Sequence, residues 1–269
     1  MQPSLPAALL ILCLALTPAC AAPGDSTPAI VESIADDGTP VRIEVGDDED
    51  ETGSELAEEL VRRLEAVTPD EAEPIVALAS SFDPFAKRGC PPEGDAKSAT
   101  KQARNRLKNR TRTPRTKDID PKVTLAALRA PGDDRFRWSE AKAATIEAFV
   151  DDVFATGAES CNCKVEDRAL TDTHFDLIAS EGDTGQKVIA EITPVWRLLH
   201  ENRGQEDWSS AAIRKKYQGH RVRITGWLYF DESHVWEADN TDPDDDVGKK
   251  NWRATGWEIH PITKLEIID

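Results

Sequence analysis

Charge is absent from the first 24 residues of this 269-residue chain, methionine occurs once and tyrosine twice. No apolar run approaches the roughly 20 residues needed to cross a bilayer as a helix. The longest such run in the N-terminal segment, residues 7–16, spans about 15 Å as a helix, half of a hydrocarbon core. No Gly-rich phosphate loop and no G-x-S-x-G elbow occurs, and no Ser/His/Asp or Cys/His nucleophile arrangement stands out. Sequence support for P-loop and nucleophile-elbow chemistry is therefore lacking. Hydrophobic residues make up 39% and charged residues 31%, a poor ratio for one compact domain of this length. Part of the chain is expected to stay outside the folded core.

The uncharged N-terminus reads as an export signal, with residues 1–21 removed. Ala19-Cys20-Ala21 fits an A-x-A cleavage site, whereas Leu16-Thr17-Pro18-Ala19-Cys20 points to lipidation of Cys20. Both a soluble and a lipid-anchored form in the periplasm, cell envelope or exterior fit. Export to an oxidising compartment favours a disulfide among Cys90, Cys161 and Cys163, with one thiol left over. Cys90 can pair with either of the other two.

Aromatic residues locate the core. Fourteen of sixteen fall between Phe136 and Trp257. Aromatics dominate core burial, so residues 120–269 form the expected domain. Residues 22–54 lack aromatics and contain Asp47-Asp48-Glu49-Asp50-Glu51, the composition of a disordered acidic linker. Residues 55–80 show helical spacing at Leu56, Leu60 and Leu64, then a second start at Thr68-Pro69-Asp70-Glu71, which predicts short helices.

The formal charge is −17, from 33 Lys and Arg against 50 Asp and Glu. Such a protein is a poor generic partner for nucleic acid. Residues 97–117 reverse that sign with nine basic residues and no acid. Within a linker at 81–119, this segment either contacts a polyanion or pairs with the acidic linker.

Alternation of period two predicts strands near 145–156, 173–180, 187–193, 220–231 and 256–268. Residues 208–218 read as a helix, with Ile213 and Tyr217 four apart and Gly219 beyond the end. The order is three strands, a helix and two strands. It resembles the OB-fold, a five-stranded barrel with a helix between strands three and four. The expected fold is thus mainly β, an OB-like barrel behind a disordered and partly helical N-terminal region. The resemblance implies binding of oligonucleotides, oligosaccharides or other partners on a barrel face. Arg197, Arg221, Arg223, Trp227 and Tyr229 offer a basic and aromatic surface for such a ligand.

All five His lie in this domain. Three of them sit in a series of short motifs, Asp172-Thr173-His174, Glu191-Ile192-Thr193-Pro194, Phe230-Asp231-Glu232-Ser233-His234 and Glu258-Ile259-His260-Pro261. This series resembles a group of uncharacterised bacterial proteins, often exported, that share D-x-H, E-I-P, F-D-x-x-H and E-[IL]-H-P motifs. The resemblance covers about residues 145–265 and implies a shared fold and site. From the residues themselves, His174, Glu191, Asp231, His234, Glu258 and His260, with Asp172, are groups that bind a divalent metal or move protons. Cys161 and Cys163 can join His174 as softer ligands. Alternating polar residues on strands also form solvated faces. The acidic loop at 237–246 lacks the Gly and Glu of an EF-hand and reads as a solvated insertion. The leading expectation is an exported OB-like ligand- or partner-binding protein. The alternative is a metal-dependent phosphodiester or ester hydrolase.

Overall fold

The computed structural model describes residues 31–34, 40–43, 82–241 and 251–269. The leader with Cys20, the short helices at 55–80 and Asp242 to Asp246 lie outside the described residues. Within the stretch read as an acidic linker, β1 (Val31–Ile34) and β2 (Pro40–Ile43) pair antiparallel with Val31 opposite Ile43.

Residues 82–119 are part of the folded unit rather than a linker. Helix α1 (Pro84–Arg88) starts at Asp83, whose carboxylate accepts from the Phe85 amide, and stops at left-handed Gly89. Helix α2 (Ala99–Lys108) is capped by Ser98. Between them, Cys90 is bonded to Cys163, and Cys161 is the reduced thiol among the described residues. Gly94 has φ +65°, and a Cβ there would meet the Ser160 carbonyl oxygen at 1.9 Å. Only glycine lets this strap approach the barrel so closely. A short helix, α3 (Leu125–Leu128), buries Leu125 and Leu128 in the core beside the barrel.

The barrel is closed by β3 (Ala143–Ala155), β4 (Thr173–Ile178), β5 (Lys187–Ile192), β6 (Arg221–Phe230) and β7 (Arg253–Ile267), in the order β3-β4-β5-β7-β6. Only the β5–β7 pairing is parallel. This is the OB-like barrel. Its interior takes alternate residues, among them Phe175, Leu177, Val188, Ala190, Ile224, Leu228 and Ile259. Each of these side chains larger than alanine contributes about 1.5–3 kcal/mol on burial. At the β6–β7 bulge a Cβ on Gly226 would meet Pro261 O at 2.4 Å, so the bend depends on glycine.

Two helices, not one, join β5 to β6. The predicted one is α5 (Ser210–Tyr217); the other is α4 (Pro194–Asn202). Thr193 accepts from the Trp196 amide and Pro194 occupies the first turn, so the Thr-Pro step that ends β5 also starts α4.

Candidate functional site

Because Phe175, Ala190 and Ile259 point inward, their neighbours His174, Glu191, Glu258 and His260 point outward. Register places His174 opposite Glu191, and Tyr229 opposite Glu258. Two loops flank this outer face. The β3–β4 loop supplies Glu159, Cys161 and Asp172, and the β6–β7 loop supplies Asp231 and His234. OB-folds take ligands on the corresponding strands and loops.

The face is nevertheless closed. Asp172 and His260 are 0% exposed, Cys161 1%, His174 2%, Glu258 3% and Glu191 6%. Helix α2 packs on β7 and on the 160–162 turn, and Arg88 donates to Asn162 Oδ1 at 2.7 Å and the Cys161 carbonyl at 3.0 Å.

Beneath this cover runs one chain of polar groups. Lys187 Nζ is 2.5 Å from Asp176, whose other oxygen is 3.1 Å from His174 Nε2. His174 Nδ1 is 3.0 Å from Glu191 Oε1, and Glu191 Oε2 is 3.0 Å from His260 Nδ1. His260 Nε2 is 3.5 Å from Asp172 Oδ2, and that oxygen is 3.9 Å from Cys161 Sγ. Cys161 Sγ donates to Glu159 Oε2 at 3.4 Å, which Lys108 Nζ approaches to 2.5 Å. A branch leaves His260 through Glu258 at 3.6 Å, Arg253 at 2.6 Å from Glu258, Asp231 at 3.6 Å from Arg253 and His234 at 2.5 Å from Asp231.

Two triads have ligand atoms close enough to hold one ion: Asp172, Glu191 and His260, and Glu159, Cys161 and Asp172. They share Asp172. Of the six predicted metal residues, Glu191 and His260 lie at this centre. His174 and Glu258 flank it. Asp231 and His234 stand beyond the Arg253 guanidinium, so the barrel does not bring them into the same shell. Cys163 is committed to the disulfide. Glu159 escaped sequence reasoning because it matches no motif; its only signal is its place two residues before Cys161.

Burial sets the electrostatics of the centre. It raises the Asp172 carboxyl pKa. Burial would also lower the His260 pKa, but Glu191, Glu258 and Asp172 outweigh it and push it up to about 10. Against the burial penalty, His260 and His174 hold Glu191 well below the usual carboxylate range. His234 and the cations Lys108 and Arg253 do the same for Asp231. Asp172 Oδ1 and both ring nitrogens of His260 are buried without an aligned hydrogen bond. Glu191 and Asp172 oxygens stand 3.0 and 3.5 Å from the two nitrogens, so an ion or water is one way to complete the set; a buried polar group left unsatisfied costs about 1–3 kcal/mol.

Of the expected ligand surface, Trp227, Tyr229 and Arg197 are covered, while Arg221 and Arg223 stay exposed. Trp227 is 2% and Tyr229 1% exposed. Trp227 Nε1 donates to the Arg112 carbonyl at 2.7 Å beneath the Arg110 and Arg112 guanidinia, and Arg104 covers the Tyr229 ring at 4.5 Å. Arg197 is buried against Thr173 Oγ1 and the Ala169 carbonyl. Arg221 and Arg223 line an open groove of about 780 Å3, but Arg223 is paired with Glu147 at 2.7 Å. The outward aromatics on β6 contact the strap rather than solvent.

That strap also explains the basic segment. Arg104 is 0% exposed and reaches Glu140 at 2.5 Å, Glu232 at 2.9 Å and the Phe230 carbonyl. Arg110 donates to the carbonyls of Glu140 and Leu228. Its principal cations thus serve the barrel's own acids and carbonyls.

No family model matches the chain, and no curated protein matches it. Among the described residues, no helix is long and apolar enough to cross a membrane.

Proposed function

We propose that this protein is an exported OB-like barrel that binds a divalent metal ion in a closed site centred on Asp172 and His260. The observation that carries this reading is the pair of wholly buried residues with unaligned polar atoms, set 3.5 Å apart among further carboxylates. A divalent cation would satisfy those atoms and balance Asp172 and Glu191. The strap closes the face that an OB-fold offers to larger ligands, so a small ion fits where a polymer does not. Structural metal sites are closed, whereas hydrolytic ones keep a position open to water and substrate. The burial therefore favours metal binding over the hydrolase alternative.

Export rests on the uncharged apolar N-terminus, either as a soluble form or anchored through Cys20. The basic segment, engaged with the barrel, offers little to a polyanion or oligosaccharide. The test is metal analysis of protein purified without an affinity tag, compared with Asp172→Asn and His260→Gln. The reading requires about one equivalent of metal in the parent and its loss in both variants. A metal-free parent that takes up no added divalent ion rejects it.

A further inference from the structure

We infer that the Cys90–Cys163 disulfide is a redox latch on the closed metal site. Oxidised, it holds the turn at residues 159–164 against the strap and traps the ion; reduced, it lets this joint part and the ion pass. The inference rests on the metal-binding reading above and adds how the site is loaded. Asp172 and His260 are wholly buried, so no ion reaches them until part of the cover opens.

The joint stands at the right place. Residues Ser160–Asn162 form a single short turn of helix, and Cys161 Sγ lies 3.9 Å from Asp172 Oδ2. Residues 88–95 of the strap fasten it. Arg88 donates to Asn162 Oδ1 at 2.7 Å, and the Asp95 amide to the Ser160 carbonyl at 3.1 Å. These are single hydrogen bonds, and the one covalent tie is Cys90 to Cys163. Further along, Arg104 and Arg110 hold the strap to the barrel through Glu140, Glu232 and the Leu228 carbonyl. Opening the joint therefore leaves the barrel and α2 in place.

A second observation marks the same turn. Cys163 and Lys164 have φ of 57° and 52° and are the only non-glycine residues with positive φ among the described residues. A side chain is crowded in that region, and the conformation persists only where the surroundings impose it. The bridge is the covalent part of that constraint. Cutting it lets the turn relax away from Asp172.

Cys163 is partly exposed and Cys90 is buried, so a dithiol reductant attacks Cys163 Sγ. The bond to Cys90 breaks, and Cys90 leaves as a thiolate and takes a proton. The reductant's second thiolate then closes its own disulfide and releases Cys163 as a thiol. Two electrons pass to the protein. The reverse exchange, with an oxidised dithiol as acceptor, closes the latch after the ion has entered, and an oxidising compartment keeps it closed.

The test compares two full chains. One carries C13S and C20S, so that Cys161 is its one thiol outside the disulfide; the other adds C90S and C163S. Two rates are read: reaction of Cys161 with an aromatic disulfide reagent in metal-free protein, and loss of bound Zn(II) to excess chelator. The latch predicts that both rise about tenfold or more without the bridge, with the far-UV circular dichroism of the barrel unchanged. Equal Cys161 rates overturn the latch whether or not metal binds. Faster Cys161 reaction with equal zinc loss overturns the loading role and leaves the metal reading standing. Zinc taken up by neither chain overturns the metal reading and the loading role with it. Collapse of the barrel without the bridge also overturns the latch, because the bridge then holds the domain rather than the joint.

Discussion

Glu191 and His260 meet across neighbouring strands, with Oε2 of the carboxylate 3.0 Å from Nδ1 of the ring. The other oxygen of Glu191 is taken by His174. One carboxylate therefore locks two imidazoles, and only one of these, His260, presents its remaining nitrogen to Asp172. Glu191→Gln keeps the shape but weakens that lock. Affinity for the divalent ion should fall about 10–100-fold, the usual cost of losing such a partner. Competition against a chromophoric chelator measures it; unchanged affinity would remove Glu191 from the positioning role.

Arg104 is the most constrained cation of the strap. Arg104→Met leaves Glu140 and Glu232 without their buried partner. Breaking a buried pair from one side costs about 3–5 kcal/mol. Urea unfolding should show a loss of that size, and a loss below about 1 kcal/mol would mean that the strap is held by other contacts.

The Cys90–Cys163 bridge closes a separation of 73 residues. Chain-entropy arguments give about 4 kcal/mol for a loop of that length. Replacing both residues by serine should lower unfolding free energy by about that amount. Proteolysis should then cut first within the strap, between residues 82 and 119. Cleavage elsewhere would contradict the strap's dependence on the bridge.

His200 gives a pH signature away from the metal centre. Its ring stacks on Trp208 with centroids 3.6 Å apart, and Nδ1 has no hydrogen-bond partner. Burial, then the Arg203 charge, lower its pKa to about 4, with Glu206 opposing. The unfolded chain titrates nearer 6.5, so it binds the proton more readily than the native state between those values. His200 thus costs the fold nothing above pH of about 6.5 and destabilises it as pH falls from there toward about 4. Proton NMR should find its midpoint near 4. A midpoint at the ordinary histidine value would refute the half-buried, stacked environment.

Much of the barrel was legible because strand periodicity is local. Val222, Ile224, Leu228 and Phe230 mark β6 without any knowledge of partners, and the other strands behave alike. Helix α4 was hidden because Thr193-Pro194 resembles a strand end as much as a helix start. The strap was misread for a physical reason. Arg104 meets Glu140 and Glu232, which lie 36 and 128 residues away, so nothing near it in sequence shows that its charge is neutralised. Net charge likewise concealed a basic segment folded onto an acidic barrel. The candidate site was half visible: Glu191, Glu258 and His260 follow from alternation, and Asp172 and His174 from their motif. What alternation cannot show is the cover. A polar residue on an outward face looks solvated until a distant segment is placed over it, and Glu159 becomes relevant only through the loop that brings Cys161 beside Asp172.

The most direct test is anomalous scattering at the zinc edge from crystals grown with zinc and without chelator. The account predicts one peak beside Asp172 Oδ2 and His260 Nε2, within reach of Glu191. A peak confined to surface carboxylates, or none at all, would contradict it.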